Sequence, residues 1–227
     1  MDTTAILELA ENNRKKAHAI IEKLDIPGVW QSVGAEARLV GSLKMGLLMK
    51  HRDIDFHIYS APLRLDDSFL AMARIAAHPE IRKIECINLM DTEEACIEWH
   101  ATYEDEAREV WQIDLIHILK GSRYDGFFER MAERIAAALT PETKTTILRL
   151  KYETPDDEKI MGVEYYRAVL QGGVTDYAGF QAYRAAHPVE GIVEWMPESK
   201  SESIQNTTEN GETALSMLKN ENLKHLA

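Results

Sequence analysis

Leu39-Val40-Gly41-Ser42-Leu43-Lys44-Met45-Gly46-Leu47-Leu48-Met49-Lys50-His51-Arg52-Asp53-Ile54-Asp55-Phe56 is the stretch from which the fold is read. An apolar pair leads into Gly41-Ser42 and a short helical stretch follows. Residues 53–59 then alternate polar and apolar side chains, as a half-buried strand does. Residues i and i+2 of a strand share a face, so Asp53 and Asp55 present two carboxylates side by side. Such a pair repels itself unless a cation neutralises it. Mg²⁺ meets that need, because it takes carboxylate oxygens and fills the rest of its octahedron with water and substrate phosphates. Gly41 lets a phosphate come close to the backbone, while the Ser42 hydroxyl and the amides opening the next helix supply donors.

A site that holds two metals and activates a nucleophile needs a third carboxylate. Gln112-Ile113-Asp114-Leu115-Ile116-His117-Ile118 carries one, a lone Asp114 within an apolar strand. Gly41-Ser42, ten intervening residues, Asp53-Ile54-Asp55 and then the strand Asp114 together resemble the polymerase β-type nucleotidyltransferase superfamily. The resemblance covers roughly residues 30–120, and His51-Arg52-Asp53-Ile54-Asp55 is also similar to its small antibiotic-modifying branch. It implies that Gly41 and Ser42 hold the terminal phosphates of a nucleoside triphosphate and that Asp53 and Asp55 bind two Mg²⁺ ions. Asp114 becomes the third metal ligand and candidate base. Lys44 is the expected further phosphate contact, with Lys50 and Arg52 as alternatives.

Outward from this motif the pattern changes character twice. Residues 4–24 carry apolar positions at helical spacing, with Thr3 or Thr4 as the expected N-cap and Pro27-Gly28 as the terminator. Residues 66–78 form a helical stripe closed by Pro79, and strands are expected at 81–89, 95–103 and 110–119. After Gly121 four helices are expected, over 127–139, 141–152, 158–170 and 176–186. The expected fold is α/β (α+β): a nucleotidyltransferase-like mixed sheet flanked by helices, followed by a helical region and a flexible tail. The boundaries are 1–122 for the α/β domain with its N-terminal helix, 123–196 for the helical domain and 197–227 for a polar tail with a short helix at 212–226.

Composition narrows the function. The 227 residues carry 26 basic and 38 acidic side chains, a formal charge of −12, which argues against a mainly electrostatic grip on nucleic-acid phosphates. A small-molecule or protein acceptor is therefore expected and nucleic acid is expected to be an unlikely partner. No apolar run is long enough to span a bilayer, and Met1-Asp2-Thr3-Thr4 does not open a signal peptide, so a cytoplasmic protein is expected. The two cysteines, Cys86 and Cys96, read as small buried hydrophobes.

Each signal has a plainer reading. Asp-x-Asp alone is common on solvated strand ends, and Asp114 also reads as a buried carboxylate capping a helix. His57, His117 and the pairs Tyr165-Tyr166 and Tyr177-Phe180 read as packing or supporting residues. A Walker loop is excluded, because Leu47-Leu48 stands where Lys-Ser/Thr is required. The sequence thus points to Mg²⁺-dependent transfer of a nucleoside monophosphate from an NTP to an acceptor hydroxyl, with a non-catalytic nucleotide- or protein-binding module on the same fold as the alternative. Convergence of Asp53, Asp55 and Asp114 on one point is the discriminator.

Overall fold

The computed structural model describes residues 2–198. The expected tail lies almost wholly outside them, and the short helix at 212–226 entirely so. Among the described residues the chain runs α1 (Thr3–Lys23), α2 (Ile26–Gln31), β1 (Glu36–Leu39), α3 (Gly41–Lys44), β2 (Asp53–Ser60), α4 (Leu65–Ala76), β3 (Ile81–Asn88), β4 (Cys96–Glu104), β5 (Val110–Leu119), α5 (Phe127–Ala138), α6 (Pro141–Glu153), α7 (Gly162–Leu170) and α8 (Tyr177–Ala186).

The strands form one mixed sheet in the order β1-β2-β5-β4-β3. β2 and β5 run parallel at its centre and the other neighbours pair antiparallel. Ile54, Phe56 and Ile58 of β2 lie on one face with Ile113 and Leu115 of β5, and that face packs against Ala71, Met72 and Ile75 of α4 and Leu24, Ile26 and Trp30 of α1–α2. His117 is on this side. It is buried between the hydroxyls of Ser60, 2.8 Å from Nε2, and Ser68, 3.1 Å from Nδ1, with its ring against Trp30. Its role is structural, and burial pulls its pKa down to about 4.

A second apolar cluster joins α5, α6, α7 and Phe180 of α8 to Met45, Leu47 and Met49. α1 belongs to both: Ala17, Ile20 and Leu24 enter the sheet core and Ile6 and Ala10 the helical one. Between them the buried Asn13 Nδ2 donates to Met49 O at 2.8 Å, which pins the chain just before β2.

Several local expectations are corrected. The α1 cap is Asp2, whose carboxylate accepts from Ala5 N at 2.9 Å. α1 ends at Lys23, close to the expected terminator, but Pro27 and Gly28 themselves sit in a second helix, α2, where proline in the first turn loses no hydrogen bond. α7 starts at Gly162 rather than near Glu158. Cys96 is buried, whereas Cys86 is exposed because β3 is an edge strand with little packed over it.

Candidate functional site

β1 ends in a tight turn that throws Gly41 onto the side of β2. Val40 N donates to Asp55 O at 2.9 Å, and Gly41 follows at φ +67°. That backbone conformation favours glycine, and the space demands it: a β-carbon there would lie 2.0 Å from Asp55 Oδ2. The Gly-Ser turn is thus laid directly against the second aspartate.

Parallel register puts Asp53 beside Gln112 and Asp55 beside Asp114. Asp53, Asp55, Asp114, Gly41, Ser42 and His57 all line one cavity of about 670 Å³ between the sheet and helices α5, α6 and α7. Lys44, which lies on the same turn, is exposed and not among the lining residues. Lys50 is paired with Asp156 at 2.8 Å and Arg52 with Glu109 at 3.0 Å.

The lysines that do face the cavity come from elsewhere, Lys151 of α6 and Lys159 of the α6–α7 connection, and His51 lines it as well. Lys151 occupies the inward stripe of α6, one turn after the buried Ile147 and Leu148. Its Nζ donates to Leu47 O at 3.0 Å and to the Tyr166 hydroxyl at 3.4 Å, and it lies over the rings of Tyr165 and Tyr166. The two tyrosines are packed core residues, as expected, but they also wall the cavity.

Burial sets the electrostatics. It pushes Asp55 up to about 7, reinforced by the charges of Asp53 and Asp114 and opposed by Lys151. Asp53 is raised by burial and held back chiefly by Lys151. Lys151 is pulled down to about 8 by burial, against the attraction of Asp53 and Asp55. His57 is pulled down to about 4 by burial and is neutral, its ring edge-on to Phe128 and its Nδ1 3.5 Å from the Tyr59 hydroxyl. Tyr59 in turn donates to Glu129 at 2.8 Å, fastening the end of β2 to the first turn of α5.

Asp114 is not capping a helix. It is about a quarter exposed, and its Oδ1 accepts from His100 Nδ1 at 2.7 Å and Gln112 Nε2 at 2.9 Å. The three aspartates face the same cavity, yet the set of metal-capable side chains whose ligand atoms all lie within 4.8 Å among the described residues is Glu94, Cys96 and Glu98. Burial, then Glu98 and Glu94, pushes the Cys96 thiol up to about 12, so it keeps its proton and is a poor ligand.

No protein-family model matches the sequence, and no curated protein matches it. Solved structures do. The Cid1 poly(U) polymerase with MgGTP bound superposes with a TM-score of 0.52 at 15% identity, over 74% of this chain and 54% of that one. The same polymerase with Mg 3'-dATP bound gives 0.51 at 16% identity, over 74% and 53%. The chain therefore spans about half the length of these polymerase structures, and the likeness is one of fold. No helix among the described residues is long and apolar enough to cross a membrane.

Proposed function

On a chain that carries the fold of the polymerase β-type nucleotidyltransferases, we propose that the cavity transfers a nucleoside monophosphate from an NTP to an acceptor hydroxyl and releases pyrophosphate. The observation that carries this reading is the seating of Asp55 against the bare Cα of Gly41, in a cavity shared with Asp53 and Asp114.

The donor set fits Mg²⁺. Asp53 and Asp55 are hard oxygen donors on one strand face, and both line the cavity with Asp114. Asp53 and Asp55 would hold two ions, with Asp114 as third ligand. Bound there, Mg²⁺ neutralises the triphosphate and eases deprotonation of the attacking hydroxyl.

The protein groups divide the remaining work. Gly41 and Ser42 offer backbone amides and a hydroxyl to the terminal phosphates, and the absence of a side chain at Gly41 keeps that approach open. Lys151, with Lys159 on the same cavity lining, supplies the positive charge expected of Lys44. Phe128, Met131 and Ile135 of α5 give an apolar wall that excludes water. The acceptor proton passes to Asp114 while the hydroxyl oxygen bonds to the α-phosphorus and the pyrophosphate leaves with the electron pair of the broken P–O bond.

A small-molecule or protein hydroxyl remains part of this reading, but the expectation that nucleic acid is an unlikely partner is not borne out. The fold's solved neighbours include a poly(U) polymerase, and bulk charge does not decide what a local wall of Lys151, Lys159 and His51 accepts. The test is transfer of label from α-labelled NTPs to an RNA 3′ hydroxyl, to small polyols and aminoalcohols, and to protein side chains, by wild type and Asp53→Asn. Label incorporated by wild type alone supports the reading, and equal incorporation by both sinks it.

The second reading, nucleotide binding without turnover, draws on the tie of Asp114 to His100 and Gln112 and on the looser spacing of the three aspartates. It predicts NTP binding with no pyrophosphate release under any acceptor.

A further inference from the structure

The row of side chains that carries Asp55 continues across the sheet. Register aligns Asp55 of β2 with Asp114 of β5, His100 of β4 and Glu85 of β3. Asp114 Oδ1 takes both hydrogen bonds described above, from His100 and from Gln112, while Oδ2 accepts none among the described residues. His100 is itself held. Its Nε2 lies 3.5 Å from a Glu98 carboxylate oxygen, and its side chain is only 28% exposed. A carboxylate turns easily about its terminal torsion, and two donors on one oxygen fix the plane. Asp114 lines the cavity, and the oxygen that takes no hydrogen bond among the described residues is left for what enters it.

We propose that His100 is a positioning residue for the acceptor half of the reaction, clamping Asp114 through Oδ1 so that Oδ2 is presented to the incoming hydroxyl. The assignment rests on the nucleotidyl-transfer reading above. In the step it serves, the acceptor O–H proton moves to Asp114 Oδ2, the hydroxyl oxygen forms its bond to the α-phosphorus, and the bond to the bridging oxygen breaks with its electron pair on pyrophosphate. Glu98 orients the imidazole, and Gln112 adds the second donor. His100 does not line the cavity and touches the chemistry only through Asp114.

The experiment compares wild type, His100→Ala, His100→Gln and Asp55→Asn for pyrophosphate release from ATP and UTP with Mg²⁺. A short oligoadenylate with a free 3′ hydroxyl and a panel of hexoses and aminoalcohols serve as acceptors. The Mg²⁺–NTP thermal shift of each variant is recorded alongside, and the imidazole N–H proton of His100 is followed by NMR. His100→Ala is expected to lower kcat about 10–100-fold, with the KM for NTP and the nucleotide thermal shift unchanged. His100→Gln, which restores an N–H donor, recovers most of kcat. The His100 Nδ1 proton is expected downfield and protected from exchange, and lost in Asp114→Ala. A kcat for His100→Ala within about twofold of wild type overturns the proposal, as do parallel changes in kcat and KM or a failure of glutamine to rescue. Wild type no faster than Asp55→Asn with every acceptor removes the nucleotidyl-transfer reading and this assignment with it. An active wild type with an unaffected His100→Ala removes this assignment alone.

Discussion

Gly41 and Asp55 stand against each other so closely that a single β-carbon on the glycine would lie 2.0 Å from Asp55 Oδ2. The turn that would cradle phosphate and the carboxylate that would hold a cation are one packed unit, built where β1 hands over to α3 beside β2. Gly41→Ala therefore meets two penalties, the clash and a φ of +67°. It is expected to cost about 1–3 kcal/mol in denaturant unfolding and to displace Asp55, with loss of nucleotide binding. Unchanged stability together with unchanged binding would show that the contact is not needed.

Asp55→Asn separates stability from function. The folded group titrates near 7 against an ordinary value of 3.8, because burial and then Asp53 and Asp114 disfavour its charge. A raised carboxylate contributes stability that is fully present below the unfolded value and is lost as pH rises through the folded one. At pH 8 the wild type thus bears the cost of a buried anion that asparagine lacks. The variant is expected to be more stable by up to about 4 kcal/mol at pH 8, the gap closing toward pH 4, while transfer falls by at least about 10²-fold. Urea unfolding at the two pH values and the transfer assay check both halves.

Cation binding inherits the same proton. Below pH 7 a Mg²⁺ ion must displace it from Asp55, so Mg²⁺ affinity in the presence of NTP is expected to fall about tenfold between pH 8 and pH 6. Titrations of Mg²⁺ followed by thermal shift at the two pH values measure this directly. A pH-independent affinity would mean that Asp55 is not a ligand.

Lys151 is the lysine that the cavity holds beside Asp53 and Asp55. Lys151→Met removes its charge from beside Asp53, Asp55 and the expected phosphates, and leaves Leu47 O and the Tyr166 hydroxyl without their donor. KM for NTP is expected to rise about tenfold or more, as for loss of a charged hydrogen bond, with kcat less affected. A KM unchanged by the substitution would move the phosphate contact to Lys159 or His51.

Much of this was legible in sequence because strand periodicity is strict. Asp53, Asp55 and His57 had to share a face, Asp114 and His117 had to point apart, and both conditions hold across the β2–β5 register. What periodicity does not carry is the partner across the sheet. His100 sits in a strand that was expected, but its placement beside Asp114 depends on the β4–β5 register, which no local pattern encodes. Lys151 lies far along the chain, and its one signal was a lysine inside the apolar stripe of α6, next to Ile147 and Leu148. Nothing local chose among Lys44, Lys50 and Arg52; the short α3 leaves Lys44 exposed, and Asp156 and Glu109 pair with the other two. Pro27-Gly28 marked the end of α1 but hid the start of α2, because proline is as welcome in a helix's first turn as after a helix end.

Whether the Gly41–Asp55 unit binds Mg²⁺–NTP is read from the thermal stability of wild type and Asp55→Asn with each NTP, with and without Mg²⁺. A Mg²⁺-dependent stabilisation of the wild type is expected, about 2.7 kcal/mol at a hundred times the dissociation constant, and none in Asp55→Asn. No shift with any NTP, or the same shift in both proteins, would contradict it.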